Sequence, residues 1–84
     1  MYRIVPDIAA SEQVAALSAE ALVGYAEVLE VLQLAPWNGR PQHQANPDAP
    51  VRRWAFGPSQ AGQVVYLILE EQQEVHLLLV QWWG

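Results

Sequence analysis

Three β-rich segments, separated by tight turns, make up most of the second half of the chain. They cover residues 51–56, 63–69 and 74–83. Segments rich in valine, isoleucine and aromatic residues, bounded by Gly, Pro or polar clusters, are typical of strands. The middle segment is almost entirely apolar, as in a central strand that is buried on both faces. Three consecutive strands with short connections predict an antiparallel meander.

The first half of the chain predicts one strand and two helices. Residues 2–5 form a short β-rich run that a proline closes, since proline cannot donate to a strand ladder. Asp7 and Ser18 are favourable N-cap residues. We therefore expect helices over residues 8–17 and 19–34.

The second helix has one apolar face and one acidic face. At 100° per residue, five apolar side chains share the face that we expect to contact the sheet: Leu22, Tyr25, Ala26, Leu29 and Leu32. Val31 falls near the opposite side, which carries glutamates, and Val28 lies at its margin. Either these two valines are isolated surface residues, which are common, or they form a stripe that binds a partner.

The order strand–helix–helix–strand–strand–strand predicts an α+β fold in which both helices pack on one face of a mostly antiparallel sheet. A chain of 84 residues has room for one hydrophobic core, so we expect a single domain over residues 1–84. No apolar run approaches the roughly 18 residues that span a bilayer. The N-terminus becomes acidic too early for a signal peptide, so we expect a cytoplasmic protein without membrane contact.

Charge is distributed unevenly along the chain. The net charge is −5, and the chain contains no lysine. Residues 7–35 carry five carboxylates and no base, whereas residues 36–63 carry three arginines and one aspartate. An anion-binding surface must therefore come from this middle segment. Its first part, residues 36–50, predicts a long loop, and loops of this length are often functional.

Several short motifs can be compared with known families: Pro36 and Gly39 after the second helix, an arginine at 52 or 53 that opens the second strand, Gln63-Val64-Val65-Tyr66, and the apolar run 75–80. In this order the motifs resemble the RelE/ParE-like toxin family of bacterial type II toxin–antitoxin modules. The resemblance implies a toxin that binds a cognate antitoxin and a macromolecular target. For some members the target is messenger RNA, cleaved at the ribosome; others poison different targets, such as DNA gyrase.

The chain departs from that family in its basic residues. Gln63 stands where the family often has arginine, and Gln81-Trp82-Trp83 replaces a polar C-terminal group that often contains histidine or arginine. The alternative function is therefore a non-catalytic protein-interaction domain that keeps the fold and has lost the ribonuclease site. Whether the chain is an enzyme stays open on the sequence.

A ribonuclease site needs a cation for phosphate charge and groups that move protons. Arg52 or Arg53 would serve the phosphate, and His43 or His76 would transfer the proton. Arg40, in a rigid Gly-Arg-Pro turn, is a candidate anion-binding residue. Each arginine has the alternative role of a surface ion pair.

The last strand carries the remaining candidates. Alternation places His76 on the same face as Leu78, Val80 and Trp82, which favours a half-buried structural histidine. Trp82 and Trp83 point to opposite faces, so we expect one to pack under the helices and the other to be exposed. An exposed Trp either stacks a nucleic-acid base or anchors a protein partner, and few cations accompany it here, which favours the partner.

Metal and cofactor chemistry are not expected. The chain has no cysteine, and its two histidines have no carboxylate at metal-ligand spacing. A charged fraction of only 15% leaves apolar surface uncovered. This favours an antitoxin partner or a second copy of the chain.

Overall fold

The computed structural model describes residues 1–42, 45–46 and 48–84. Two helices pack against a five-stranded sheet, and the predicted α+β class is confirmed. The elements in chain order are β1 (Arg3–Pro6), α1 (Ile8–Ala15), α2 (Ala19–Leu34), β2 (Arg40–Pro41), β3 (Val51–Phe56), β4 (Gly62–Leu69) and β5 (Glu74–Trp82).

Both predicted helix N-caps are confirmed. The Asp7 carboxylate accepts a hydrogen bond from the Ala10 amide at 2.8 Å, and the Ser18 hydroxyl accepts one from the Ala21 amide at 3.2 Å. Each bond satisfies one of the amides that a helix start leaves without a partner. α2 ends at Leu34, two residues before Pro36, as the sequence predicts.

The strands lie in the order β1-β5-β4-β3-β2. β3, β4 and β5 form the predicted antiparallel meander, and β1 pairs with β5 in parallel. The central position predicted for β4 is confirmed, although only one of its faces is fully buried. The prediction of loop throughout residues 36–50 is wrong at its start, because β2 pairs with β3 there.

The hydrophobic core lies between the helices and one face of the sheet. α1 packs on β5, and α2 packs on β3, β1 and β5. The core residues include Tyr25, Leu32, Phe56, Val64, Tyr66, Ile68, Val75, Leu77 and Val80. The other sheet face is open. Among the described residues, no helix is long and apolar enough to cross a membrane.

α2 is rotated about its axis relative to the prediction. Its buried residues are Ala21, Gly24, Tyr25, Val28 and Leu32. Leu22, predicted to be buried, is 41% exposed, and Val28, predicted at the margin of the outer side, is 3% exposed. The rotation follows from Gly24, where an added Cβ would lie 3.0 Å from the Gly57 backbone. Without a side chain, Gly24 brings this side of α2 onto the turn between β3 and β4.

β5 contains a bulge that changes which residues face the core. The pairing moves from Val65↔Leu79 directly to Tyr66↔Leu77, so Leu78 has no partner on β4. The Gln13 side chain of α1 accepts a hydrogen bond from the Val80 amide at 2.6 Å, close to this irregularity. The prediction that His76 shares a face with Val80 is therefore wrong.

Candidate functional site

The open face of the sheet carries a cavity at the end where β2, β3 and β4 meet. Its volume is about 470 Å³. The polar and aromatic side chains that line it are those of Arg40, Arg53, Asn38, Gln60, Gln63 and Trp83. β3 supplies Arg53, β4 supplies Gln63, and the turn after α2 supplies Asn38. Trp83 follows directly on β5.

Arg40 and Arg53 face each other across the β2–β3 pair. Directly opposed residues in an antiparallel pair have Cβ atoms about 5 Å apart, and like charges at such positions destabilise the pair. Among the described residues, neither arginine forms an ion pair with a carboxylate. No carboxylate lines the cavity either. A bound anion would remove the repulsion, so this pair favours phosphate binding.

Trp83 forms an aromatic wall of the cavity and is 64% exposed. Trp82 points to the other face, where it packs against the core and stacks on Phe56 with ring centroids 5.9 Å apart. The prediction that one tryptophan packs under the helices and the other is exposed is confirmed. Trp82 is therefore not presented to a partner, and partner binding by Trp83 stays a prediction.

Arg52, predicted as a surface cation, is buried, with 9% of its surface exposed. Its guanidinium donates to the backbone oxygens of Ala49, Trp37 and Gly39, each at 3.1 Å, and lies 5.0 Å from the centre of the Trp37 ring. The expectation of a surface ion pair is wrong for Arg52. This residue is paired with Tyr66 on β4, and both side chains point to the buried face of the sheet. Its contacts hold the turn that leads into β2, and thereby position Arg40.

Tyr66 holds the same turn from β4. Its hydroxyl donates to the Pro36 carbonyl at 2.7 Å, and burial raises its pKa well above the ordinary tyrosine value. Gly39 lies against this hydroxyl, and a Cβ at that position would overlap it. Arg52, Tyr66 and Gly39 thus form the structural support beneath the cavity.

His76 lies away from the cavity, on the open face beside β1. Its Nε2 is 2.9 Å from Glu74, which also pairs with Arg3. Hydrogen bonds from His76 and Arg3 hold the pKa of the Glu74 carboxyl below its ordinary value. His76 does not line the cavity, so the structure does not bring it together with Arg53. His43 lies outside the described residues.

The two valines predicted as partner-binding have different environments. Val28 belongs to the core, so its predicted position in a surface stripe is wrong. Val31 is half-buried and lines a depression beside α2, and its role in partner binding stays a prediction.

The cavity offers groups that can bind a nucleotide. Its two arginines fit a phosphate, its three amides fit base or sugar groups, and Trp83 offers a face for stacking. Among the described residues, no histidine or carboxylate lines it. Sequence reasoning named Arg40, Arg53 and Trp83 separately, but did not identify Gln63, Gln60 and Asn38 as parts of the same site. Their grouping depends on the pairing of β2, β3 and β4 and on the turns that flank these strands.

Comparison with known proteins supports the fold. No family model and no curated protein sequence matches the chain. The crystal structure of the isolated RelE toxin of E. coli is similar, with a TM-score of 0.73 and 17% sequence identity. The match covers 100% of this chain and 86% of that one. The chain therefore has a RelE-like fold.

Proposed function

We propose that this RelE-like chain is the toxin-type component of a toxin–antitoxin module and acts in the cytoplasm. We further propose that it binds single-stranded RNA in the cavity on the open face of its sheet. The observation that carries the proposal is the opposed pair Arg40 and Arg53 beside the exposed Trp83. A cation pair next to an aromatic platform is the usual arrangement for single-stranded nucleic acid. A cognate antitoxin would keep the protein inactive.

The acidic net charge argues for a local rather than a long-range attraction to RNA. At −5 the whole molecule repels a polyanion, and salt screens that repulsion beyond about 10 Å. Two arginines neutralise few phosphates, so we expect a shallow salt dependence, with a slope of log K against log salt of roughly −1.4. A ribosome-bound or otherwise held RNA is a suitable target for such a site.

The alternative function, a non-catalytic interaction domain, is favoured by one specific observation. Among the described residues, the cavity lining contains no group that moves a proton near neutral pH. The two functions differ in whether bound RNA is cleaved.

Expression of the protein alone is expected to arrest the growth of a bacterial host, and co-expression of the antitoxin from a neighbouring reading frame should relieve the arrest. The double variant Arg40→Ala/Arg53→Ala should permit growth, because the cavity loses both cations. Arg3→Ala removes the same kind of charge away from the cavity and should remain toxic. Healthy growth at high levels of folded wild-type protein would contradict the toxin function.

RNA binding is expected to depend on the cavity. Fluorescence anisotropy with a labelled single-stranded RNA should show roughly tenfold weaker binding for Arg40→Ala/Arg53→Ala, since two charge-assisted contacts are lost. Trp83→Ala should weaken binding by roughly fivefold or more, as for the loss of one stacked base.

Arg3→Ala is the control for that measurement and should bind like the wild type. Cleavage products in the same samples would assign a ribonuclease reaction, whereas intact bound RNA would favour the non-catalytic alternative. Equal affinity of the double variant and the wild type would remove the cavity from the proposal.

A further inference from the structure

A groove runs along α2, between this helix and the turn that joins β3 to β4. Two adjoining depressions form it, with volumes of about 430 and 310 Å³, and both contain Gly24, Glu27 and Gly57 in their walls. The backbones of Gly24 and Gly57 are in close contact, because a Cβ added to Gly24 would lie only 3.0 Å from the Gly57 backbone. The two depressions therefore lie next to each other along α2, on either side of this contact.

The groove follows α2 for three helical turns. The residues of α2 that line it recur at spacings of three and four: Glu20, Val23, Gly24, Glu27, Val28 and Val31. Eleven residues of helix rise about 16 Å. A surface of that length along a helix matches a second helix of about three turns, which packs at an interaxial distance of about 8–10 Å.

The depression beside Pro58 combines apolar side chains with an acidic rim. Val23 is 64% exposed and lies between Glu20 and Glu27, with Pro58 on the opposite wall. Within residues 1–42, 45–46 and 48–84, no basic residue lines either depression. The charge extends beyond the groove, because residues 7–35 carry five carboxylates and no base. The surface therefore attracts cations and repels another acidic segment.

We propose that this groove binds a cationic amphipathic helix of a protein partner. Apolar side chains of the partner, spaced by three and four residues, contact Val23 and Pro58. Basic side chains on either side of that apolar stripe pair with Glu20 and Glu27. This arrangement is the helix-in-groove mode of recognition, in which apolar anchors provide affinity and the flanking charges provide specificity. The proposal is independent of RNA binding, because Arg40 and Arg53 do not line the groove.

The test uses purified full-length protein and a synthetic peptide of about 18 residues, long enough to form a helix. The peptide carries leucines at spacings of three and four, with arginines on both sides of the leucine stripe. Calorimetry should show binding to the wild type. Glu27→Lys should weaken it by roughly tenfold or more, because it places a like charge on the rim. Val23→Ser should weaken it through loss of apolar contact.

Matched controls come from the same helix. Glu30→Lys makes the same charge change outside the groove, and Leu22→Ser makes a similar polarity change at an exposed position, so both should bind like the wild type. A peptide with a central proline and one with glutamates in place of arginines should not bind. Circular dichroism establishes that each variant is folded.

Three results would overturn the proposal. The first is equal weakening by Glu27→Lys and Glu30→Lys, which would indicate only general charge attraction. The second is undiminished binding of the proline peptide, which would indicate an extended ligand. The third is a wild-type dimer in sedimentation that Glu27→Lys dissociates, which would assign the groove to a second copy of the chain. None of these results bears on toxicity or RNA binding, so the two proposals fail separately.

Discussion

Replacing Trp82 by alanine is expected to lower the free energy of unfolding by about 3 kcal/mol. The indole stacks on Phe56 and lies close to the Gly57 backbone, so its removal leaves a cavity between the sheet and the β3–β4 turn. For a domain of this size the loss corresponds to a melting temperature lower by about 12 °C or more. Thermal unfolding followed by circular dichroism measures it directly.

Trp83→Ala is the matched control, because it truncates the adjacent residue on the opposite face. Its indole is 64% exposed, and we expect a change in stability of no more than about 0.5 kcal/mol. The same variant should lose RNA affinity, whereas Trp82→Ala should retain it in the fraction that remains folded. Equal destabilisation by the two substitutions would contradict the assignment of the two faces.

Arg52→Met is expected to destabilise the fold by about 3 kcal/mol, although the new side chain is similar in length. The substitution leaves three backbone oxygens, on Ala49, Trp37 and Gly39, without their guanidinium donor. Trp37 and Gly39 directly precede β2, and Ala49 lies shortly before β3. Chemical denaturation would measure the loss as a lower denaturant midpoint.

Arg53→Met provides the contrast at the next position. It changes the same charge on the open face, where we expect little effect on stability and a clear loss of RNA affinity. Arg52 would then act on stability and Arg53 on binding. A stable Arg52→Met variant, with an unchanged denaturant midpoint, would show that the guanidinium is dispensable to the turn.

The local features that the sequence predicted correctly are those that depend on neighbouring residues. Asp7 and Ser18 begin the helices because a short polar side chain satisfies a helix amide three residues later. Pro36 stops α2 because proline lacks an amide donor. The bounds of β3, residues 51–56, follow from its composition and from the glycine that ends it.

Predictions that depended on strict periodicity failed in two elements, β5 and α2. The bulge at Leu78 moves Val80 and Trp82 to the face opposite His76, and sequence alternation cannot reveal an unpaired residue. The buried face of α2 differs from the predicted one because Gly24 packs on Gly57, a contact between residues 33 positions apart. Hydrophobic patterning had assigned that side of the helix to solvent.

For the candidate site, too, part of the answer comes from the sequence and part from the tertiary structure. By itself the sequence determined that any anion site must come from the arginines of residues 36–63, because the chain has no other clustered cations. Only the tertiary structure decided which of them serve. The pairing of β2 with β3 places Arg40 opposite Arg53 on the open face, and the alternation of β3 turns Arg52 inward onto backbone carbonyls. The number of charged residues can be read from the sequence alone. The face to which each side chain points depends on the strand register, which is set by pairing between distant segments.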